Sequence, residues 1–213
     1  MVKINTLKSQ IPAPTDTTKA KNYIQSIENK LKKINDYLKK RGVKGFTTIS
    51  VGGNEISGEN LTVEENYNLF EDYLEKIFSG LLHTPTGFPS KPSLTSSFGY
   101  RNNPFHSGES DFHSGLDFKG NKGDEVRSTA NGKVIHAGWY QGYGNCVRVE
   151  HKNGFETLYG HLSKIDVKEG QKISANQVVG LIGSTGRSTG NHLHYEVRKN
   201  SKPINPINFL SLN

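Results

Sequence analysis

The chain has 213 residues, a single cysteine and a formal net charge of +7. Its mean hydropathy is −0.64, and no apolar run approaches the ~18–20 residues that a membrane-spanning helix needs. The lone Cys146 excludes an intrachain disulfide and any cysteine-built zinc cluster, and the basic balance suits an anionic partner such as nucleic acid, a membrane surface or a cell wall.

The first residues, MVKINTLKSQ, lack the apolar stretch of a secretory signal. In residues 18–41, Ala20, Ile24, Ile27, Leu31, Ile34 and Leu38 recur at alternating steps of four and three, which draws one apolar stripe along a helix. Gly42 follows as its stop. The lysines between these positions form the solvated outer face of a packed helix rather than a nucleic-acid surface. Residues 46–57 alternate weakly around Gly52-Gly53 and predict a hairpin. Thr62 and Glu65 form a capping box that opens a second helix, ending near Gly80. Pro85, Pro89 and Pro92 make residues 83–93 a linker or extended strap. The boundary therefore falls there, between a smaller α-helical accessory, regulatory or docking segment at residues 1–90 and a second domain at residues 91–213. The charge divides unevenly, with 12 basic against 10 acidic side chains in the first part and 15 against 10 in the second.

Beyond residue 94 glycines punctuate short alternating runs: EVRST, KVIHAGWY, NCVRVEH, GFETLYGH, VVGLIG and HLHYEV. Asn153-Gly154 is a hairpin signal between two of them. Short strands with no helix between them predict a mainly β domain, an antiparallel sheet or sandwich. The glycine- and serine-rich GLIGSTGRSTGN at 180–191 lacks the Gly-Lys-Ser/Thr of a phosphate loop and does not open a helix, which excludes nucleotide binding there.

The histidines separate by parity. In HLHYEV, His192, His194 and Glu196 share one strand face, and Leu193, Tyr195 and Val197 share the other. The tetrapeptide FHSG occurs twice. Its second copy continues as HSGLDF, where strand parity puts His113, Gly115 and Asp117 together, the glycine leaving room between a histidine and a carboxylate. The first copy continues as HSGESD, without a carboxylate four residues on, and reads as a loop that leaves His106 on the surface. Two histidines and a carboxylate suit a catalytic metal site with an open position, for zinc or for non-haem iron. His161 shares a strand face with Thr157 and Tyr159 by parity and reads by itself as a structural histidine. His136 and His151 read the same way, His83 lies in the linker, and Cys146 is a small strand residue.

From about residue 95 to 210, the set SSFGYRNNPF, FHSGLDF, GNCVRVEHKNG, TLYGHLS, VKEGQ and IGSTGRSTGNHLHYEV resembles the lysostaphin-type (LytM-like) zinc endopeptidases of bacterial cell walls. Asn191 departs from the proline that many relatives carry before HLH. The resemblance implies that His113, Asp117 and His194 bind zinc and that His161 and His192 are the catalytic residues beside it. It implies peptidoglycan peptides as substrate and a place in the periplasm, cell envelope or extracellular space. It also brings an alternative, a catalytically inactive LytM-like activator. Such a family handles both polyglycine bridges and direct D-alanyl–diaminopimelate links. The direct link is the expectation here, because no wall-targeting module is visible.

Overall fold

The computed structural model describes residues 17–39, 63–104, 106 and 108–210. Two helices come first, α1 (Thr17–Lys39) and α2 (Val63–His83). The apolar stripe of α1 buries Ile34 and Leu38 against Leu74 of α2, with Ile27, Leu31, Phe70, Ile77, Phe78 and Leu81 around them. Ser26 Oγ donates to Glu71 Oε1 at 2.7 Å, Tyr37 Oη donates to the Leu81 carbonyl at 2.9 Å, and Tyr23 stacks on Tyr67. Early residues of α1 thus meet early residues of α2, and late meet late, so the helices run parallel. Gly80 does not end α2, which continues to His83. A glycine tolerated in open space costs a helix only about 1 kcal/mol. Gly42, Thr62 and the hairpin expected at 46–57 lie outside the described residues.

The remainder is mainly antiparallel β-structure. Its strands are β1 (Leu94–Ser96), β2 (Gly99–Asn102), β3 (Ser110–His113), β4 (Leu116–Lys119), β5 (Glu125–Arg127), β6 (Gly132–Trp139), β7 (Asn145–Glu150), β8 (Phe155–Gly160), β9 (Leu162–Ile165), β10 (Lys172–Ile173), β11 (Val178–Ile182), β12 (His192–Lys199) and β13 (Lys202–Ile204), followed by the short α3 (Ile207–Leu210). The large sheet has the order β1-β4-β12-β8-β7-β6-β10, with β13 also paired to β12. β5-β11-β9 form a second sheet and β2-β3 a separate ribbon. β7 and β8 are joined through Asn153 and Gly154, both at positive φ, as the Asn-Gly signal predicts.

The core lies between the two larger sheets. Leu193, Tyr195 and Val197 of β12 are fully buried with Val147, Val149 and Tyr159, and meet Val126, Leu162, Val179 and Ile182 from the smaller sheet. Each large apolar side chain so buried contributes about 1.5–3 kcal/mol, which fixes the register of β12 and therefore the face on which its even-numbered residues stand. His151 bridges the Asn131 carbonyl and Thr157 Oγ1 inside this core, a structural role. Cys146 is buried, and that burial pushes its thiol up to about 12.

The proline-rich strap packs along the β-domain. Thr86 N donates to the Thr129 carbonyl, Gly87 N to Phe209, and Arg127 N to Pro89. Pro85, Thr86 and Pro89 are buried, and Phe88 meets Phe118 edge to face.

Candidate active site

β12 is flanked by β4 and β8, so its outer face is the floor of a cleft of about 790 Å³. His194 pairs in register with Asp117 of β4 on one side and with Gly160 of β8 on the other. His113 reaches the same point by another route. It ends β3, which belongs to the separate ribbon, and the chain turns at Ser114-Gly115 before β4 begins. The expectation that His113, Gly115 and Asp117 share one continuous strand is therefore corrected: a corner brings the pair together.

Three donor atoms converge. His113 Nε2 lies 3.1 Å from Asp117 Oδ1 and 3.0 Å from His194 Nδ1, and His194 Nδ1 lies 3.0 Å from Asp117 Oδ1. All three residues are buried, and they form a set that can hold a metal ion. Hydrogen bonds on the far side of each imidazole set its tautomer. His113 Nδ1 faces the Ser97 carbonyl at 2.8 Å, an acceptor, so that nitrogen carries the proton. His194 Nε2 faces Glu196 Oε1 at 3.1 Å and is protonated for the same reason. In the neutral histidines, Nε2 of His113, Nδ1 of His194 and the Asp117 oxygen then aim three lone pairs at one another with no hydrogen between them. Such a set repels itself unless a cation stands among the donors. Nitrogen and carboxylate donors from three residues suit zinc with a position left open.

The supports of these residues are as specific. Glu196 is fully buried; burial opposes its charge, but His194, Ser114 and Arg198 hold its pKa at about 2. Arg198 Nε donates to it at 2.7 Å, Tyr143 Oη donates at 2.7 Å, and Ser114 Oγ adds a short contact. Arg101 Nη1 donates to Asp117 Oδ2 at 3.2 Å.

Two further imidazoles line the cleft. His161 does not share a face with Thr157 and Tyr159. Tyr159 pairs with Tyr195 and points into the core, and strict alternation would send His161 there as well. His161 instead has φ of +60°, which swings its ring to the His194 side, with ring centroids 5.8 Å apart. Its Nδ1 donates to the Thr185 carbonyl at 2.8 Å, leaving Nε2 with a lone pair. Burial lowers its pKa to about 4, so it is neutral at ordinary pH. His192 Nδ1 donates to the Gly190 carbonyl at 2.8 Å, its Nε2 lies 3.6 Å from Asp117 Oδ1, and its ring lies 4.8 Å from that of His161.

The glycine-rich stretch 180–191 supplies this wall. Gly144 and Gly186 both have positive φ, and a Cβ on Gly186 would lie 2.3 Å from Gly144 N, so only glycines let the two loops meet. That contact holds the Thr185 carbonyl behind His161. The structure thus brings together His113, Asp117, His194, His161 and His192. It leaves His106 exposed in the β2–β3 turn and His83 at the end of α2. Glu196 had a sequence signal, its parity with His194. Arg198 shared that signal, two residues farther along β12; Tyr143, Ser114 and Arg101 had none, because their contacts to Glu196 and Asp117 join separate elements. Among the described residues, none from α1 or α2 lines the cleft.

The profile of peptidase family M23 matches residues 111–206. The chain is 43% identical over 132 residues to the DD-carboxypeptidase/endopeptidase Mpg of Neisseria meningitidis, covering 60% of this chain and 30% of that protein. It is 37% identical over 97 residues to the murein hydrolase activator NlpD of Escherichia coli, covering 45% of this chain and 25% of that one. The chain thus spans less than a third of these curated relatives. Among solved structures, the catalytic domain of the antimicrobial peptidase lysostaphin from Staphylococcus simulans matches at 35% identity and a TM-score of 0.50, over 55% of this chain and 91% of that one. A zinc-containing peptidase from Vibrio cholerae matches at 35% identity and a TM-score of 0.53, over 62% of this chain and 40% of that one.

Proposed function

The chain belongs to peptidase family M23, and from that premise we propose that it is a zinc-dependent peptidoglycan endopeptidase of the cell envelope, hydrolysing peptide cross-links. The observation that carries the reading is the convergence of three lone pairs, from His113 Nε2, His194 Nδ1 and Asp117 Oδ1, beside two more histidines whose unprotonated nitrogens belong to the same cleft. His113, Asp117 and His194 would hold the zinc. When bound, zinc supplies a Lewis acid that polarises a carbonyl and lowers the pKa of water from 15.7 to roughly 7.

The protein's own residues handle the protons. His161, kept neutral by burial, accepts a proton at Nε2 from the attacking water, and the Thr185 carbonyl holds its ring in the required tautomer. His192 Nε2 carries no proton in this tautomer, so it first takes one up from solvent and then passes it to the leaving amine, its ring fixed by Gly190, while His161 returns its proton to solvent. Groups positioned in this way typically contribute about 10²–10⁴-fold each. Glu196 keeps the Nε2 proton of His194 in place, so that Nδ1 stays available as a ligand. The net charge of +7 favours an anionic wall.

A second reading, an activator without hydrolytic activity, is favoured by the likeness to NlpD. Against it stands the presence of all five site residues with tautomers fixed for use. Incubating the purified protein with cross-linked peptidoglycan dimers, with and without a zinc chelator, tests the proposal. Chelator-sensitive appearance of monomers is expected. Intact dimers at full zinc occupancy would favour the activator.

A further inference from the structure

Three cations, Arg101, Lys119 and Arg187, line the cleft against two carboxylates. Its side toward β1 and β4 carries Thr95, Ser96, Arg101 and Lys119, and the carboxylates lining the whole cleft are Asp111 and Asp117. Asp117 is already engaged by Arg101 and belongs to the proposed metal set. Of the three cations lining the cleft, Arg101 is paired with Asp117 and Arg187 Nη2 lies 3.5 Å from Asn103 Oδ1, while Lys119 stands on the β4 side. It stands two residues beyond Asp117, and therefore on the same face of β4, directly opposite His192 in register. Its backbone N–H is fixed on the Ser93 carbonyl, while its side chain is exposed, and its ammonium has no ion pair among the described residues.

The spacing carries chemical meaning. Two residues along a strand span roughly 6.6 Å, and an extended peptide advances about 3.3–3.6 Å per residue. A substrate whose scissile carbonyl sits over the His113–Asp117–His194 set, with its leaving amine toward His192, brings the first carbon past the scissile nitrogen within reach of a flexible lysine stem rooted at residue 119. A polyglycine bridge offers no charge at that carbon. A direct cross-link whose leaving amine sits on a carbon bearing a free carboxylate offers one anion there.

We propose that Lys119 seats this carboxylate, and so makes the cleft selective for cross-links whose leaving amine carries an adjacent carboxylate. The inference rests on the endopeptidase reading for its orientation, but binding alone tests it. The probes are two synthetic cross-link peptides, identical except that the carbon beside the leaving amine bears a carboxylate in one and a carboxamide in the other. Calorimetry gives their affinities for the zinc-loaded full chain, and amine release gives kcat and KM. A hydrogen bond to a charged group predicts an affinity and KM preference of about ten- to a hundredfold for the carboxylate form. Lys119→Ala loses the preference by weakening the carboxylate form alone, Lys119→Arg keeps most of it, and raising the salt concentration narrows it. A wild-type chain that binds both forms equally overturns the proposal. So does a Lys119→Ala variant that weakens both alike at equal zinc content. If neither peptide is cleaved but the Lys119-dependent binding preference is found, the carboxylate seat stands and the endopeptidase reading fails.

Discussion

Gly115 is the position where a single methyl group reports on the metal centre. A Cβ there would lie 2.4 Å from the Tyr195 carbonyl oxygen and 3.0 Å from both Glu196 Cγ and His194 Cε1. Ordinary C···O contact begins near ~3.3 Å, so about 1 Å must be found. β12 cannot give it freely, since Tyr195 is buried and paired in register with Leu116 on one side and Tyr159 on the other. Overpacking of this kind costs about 1–3 kcal/mol, and each kcal/mol lowers the melting temperature of a chain this long by about 2–4 °C. The displaced atoms belong to a proposed ligand and to the carboxylate that orients it, so Gly115→Ala also weakens zinc binding by about 10–100-fold. Thermal melts and a zinc competition titration measure both effects. Gly160→Ala is the control: it lies on the other flank of His194, where the nearest atom, Tyr143 Cδ1, is 3.4 Å away, so it perturbs melting and zinc affinity less than Gly115→Ala does. A Gly115→Ala protein that melts and binds zinc like the wild type would refute the packing argument and the rigid coupling of β12 to the site.

Alanine at His113, Asp117 or His194 reduces bound zinc from one equivalent to a small fraction by elemental analysis, whereas His106→Ala, in an exposed turn, leaves zinc and activity unchanged. His161→Ala and His192→Ala retain zinc and lose most peptidoglycan cleavage, by about 10²-fold or more, because they move protons rather than hold the ion; a metal-free His161→Ala protein would reassign that residue as a ligand. The helical pair is acid-sensitive. Lys30, Tyr67 and Ser26 hold the Glu71 carboxyl at about 2 against an ordinary 4.5, so its stabilising contribution is complete above pH 4.5 and is lost as the pH falls toward 2. Melting curves of wild type and Glu71→Gln should therefore converge over that interval, and a constant gap between them would contradict the assignment.

How far the sequence could be read depended on how local each cause was. The face of β12 was legible because Leu193, Tyr195 and Val197 alternate with His192, His194 and Glu196, and burial enforces that alternation. The partnership of His113 with Asp117 was legible, but its geometry was not, since a change of sheet at Ser114-Gly115 leaves no mark on parity. His161 shows the limit most sharply. Alternation sends it into the core, and one left-handed residue sends it into the cleft. That conformation is sustained by the 141–144 loop, where the Tyr143 carbonyl accepts from His161 N at 2.7 Å, and nothing in TLYGHLS announces it. The glycines of 180–191 form a close-approach surface against Gly144, a use that needs the partner loop to be seen. The prolines of the strap marked a break in secondary structure without showing that Phe88 and Pro89 dock on the β-domain.

The central claim is hydrolysis of a wall peptide bond through the His113–Asp117–His194 centre. The most direct measurement is mass spectrometry of purified peptidoglycan dimers digested in heavy-oxygen water by metal-stripped protein, before and after one equivalent of zinc is returned. The account predicts no products before zinc is added and, afterwards, monomers in which one labelled oxygen sits in the new carboxyl group. Dimers left intact by protein that has taken up its full equivalent of zinc would contradict it.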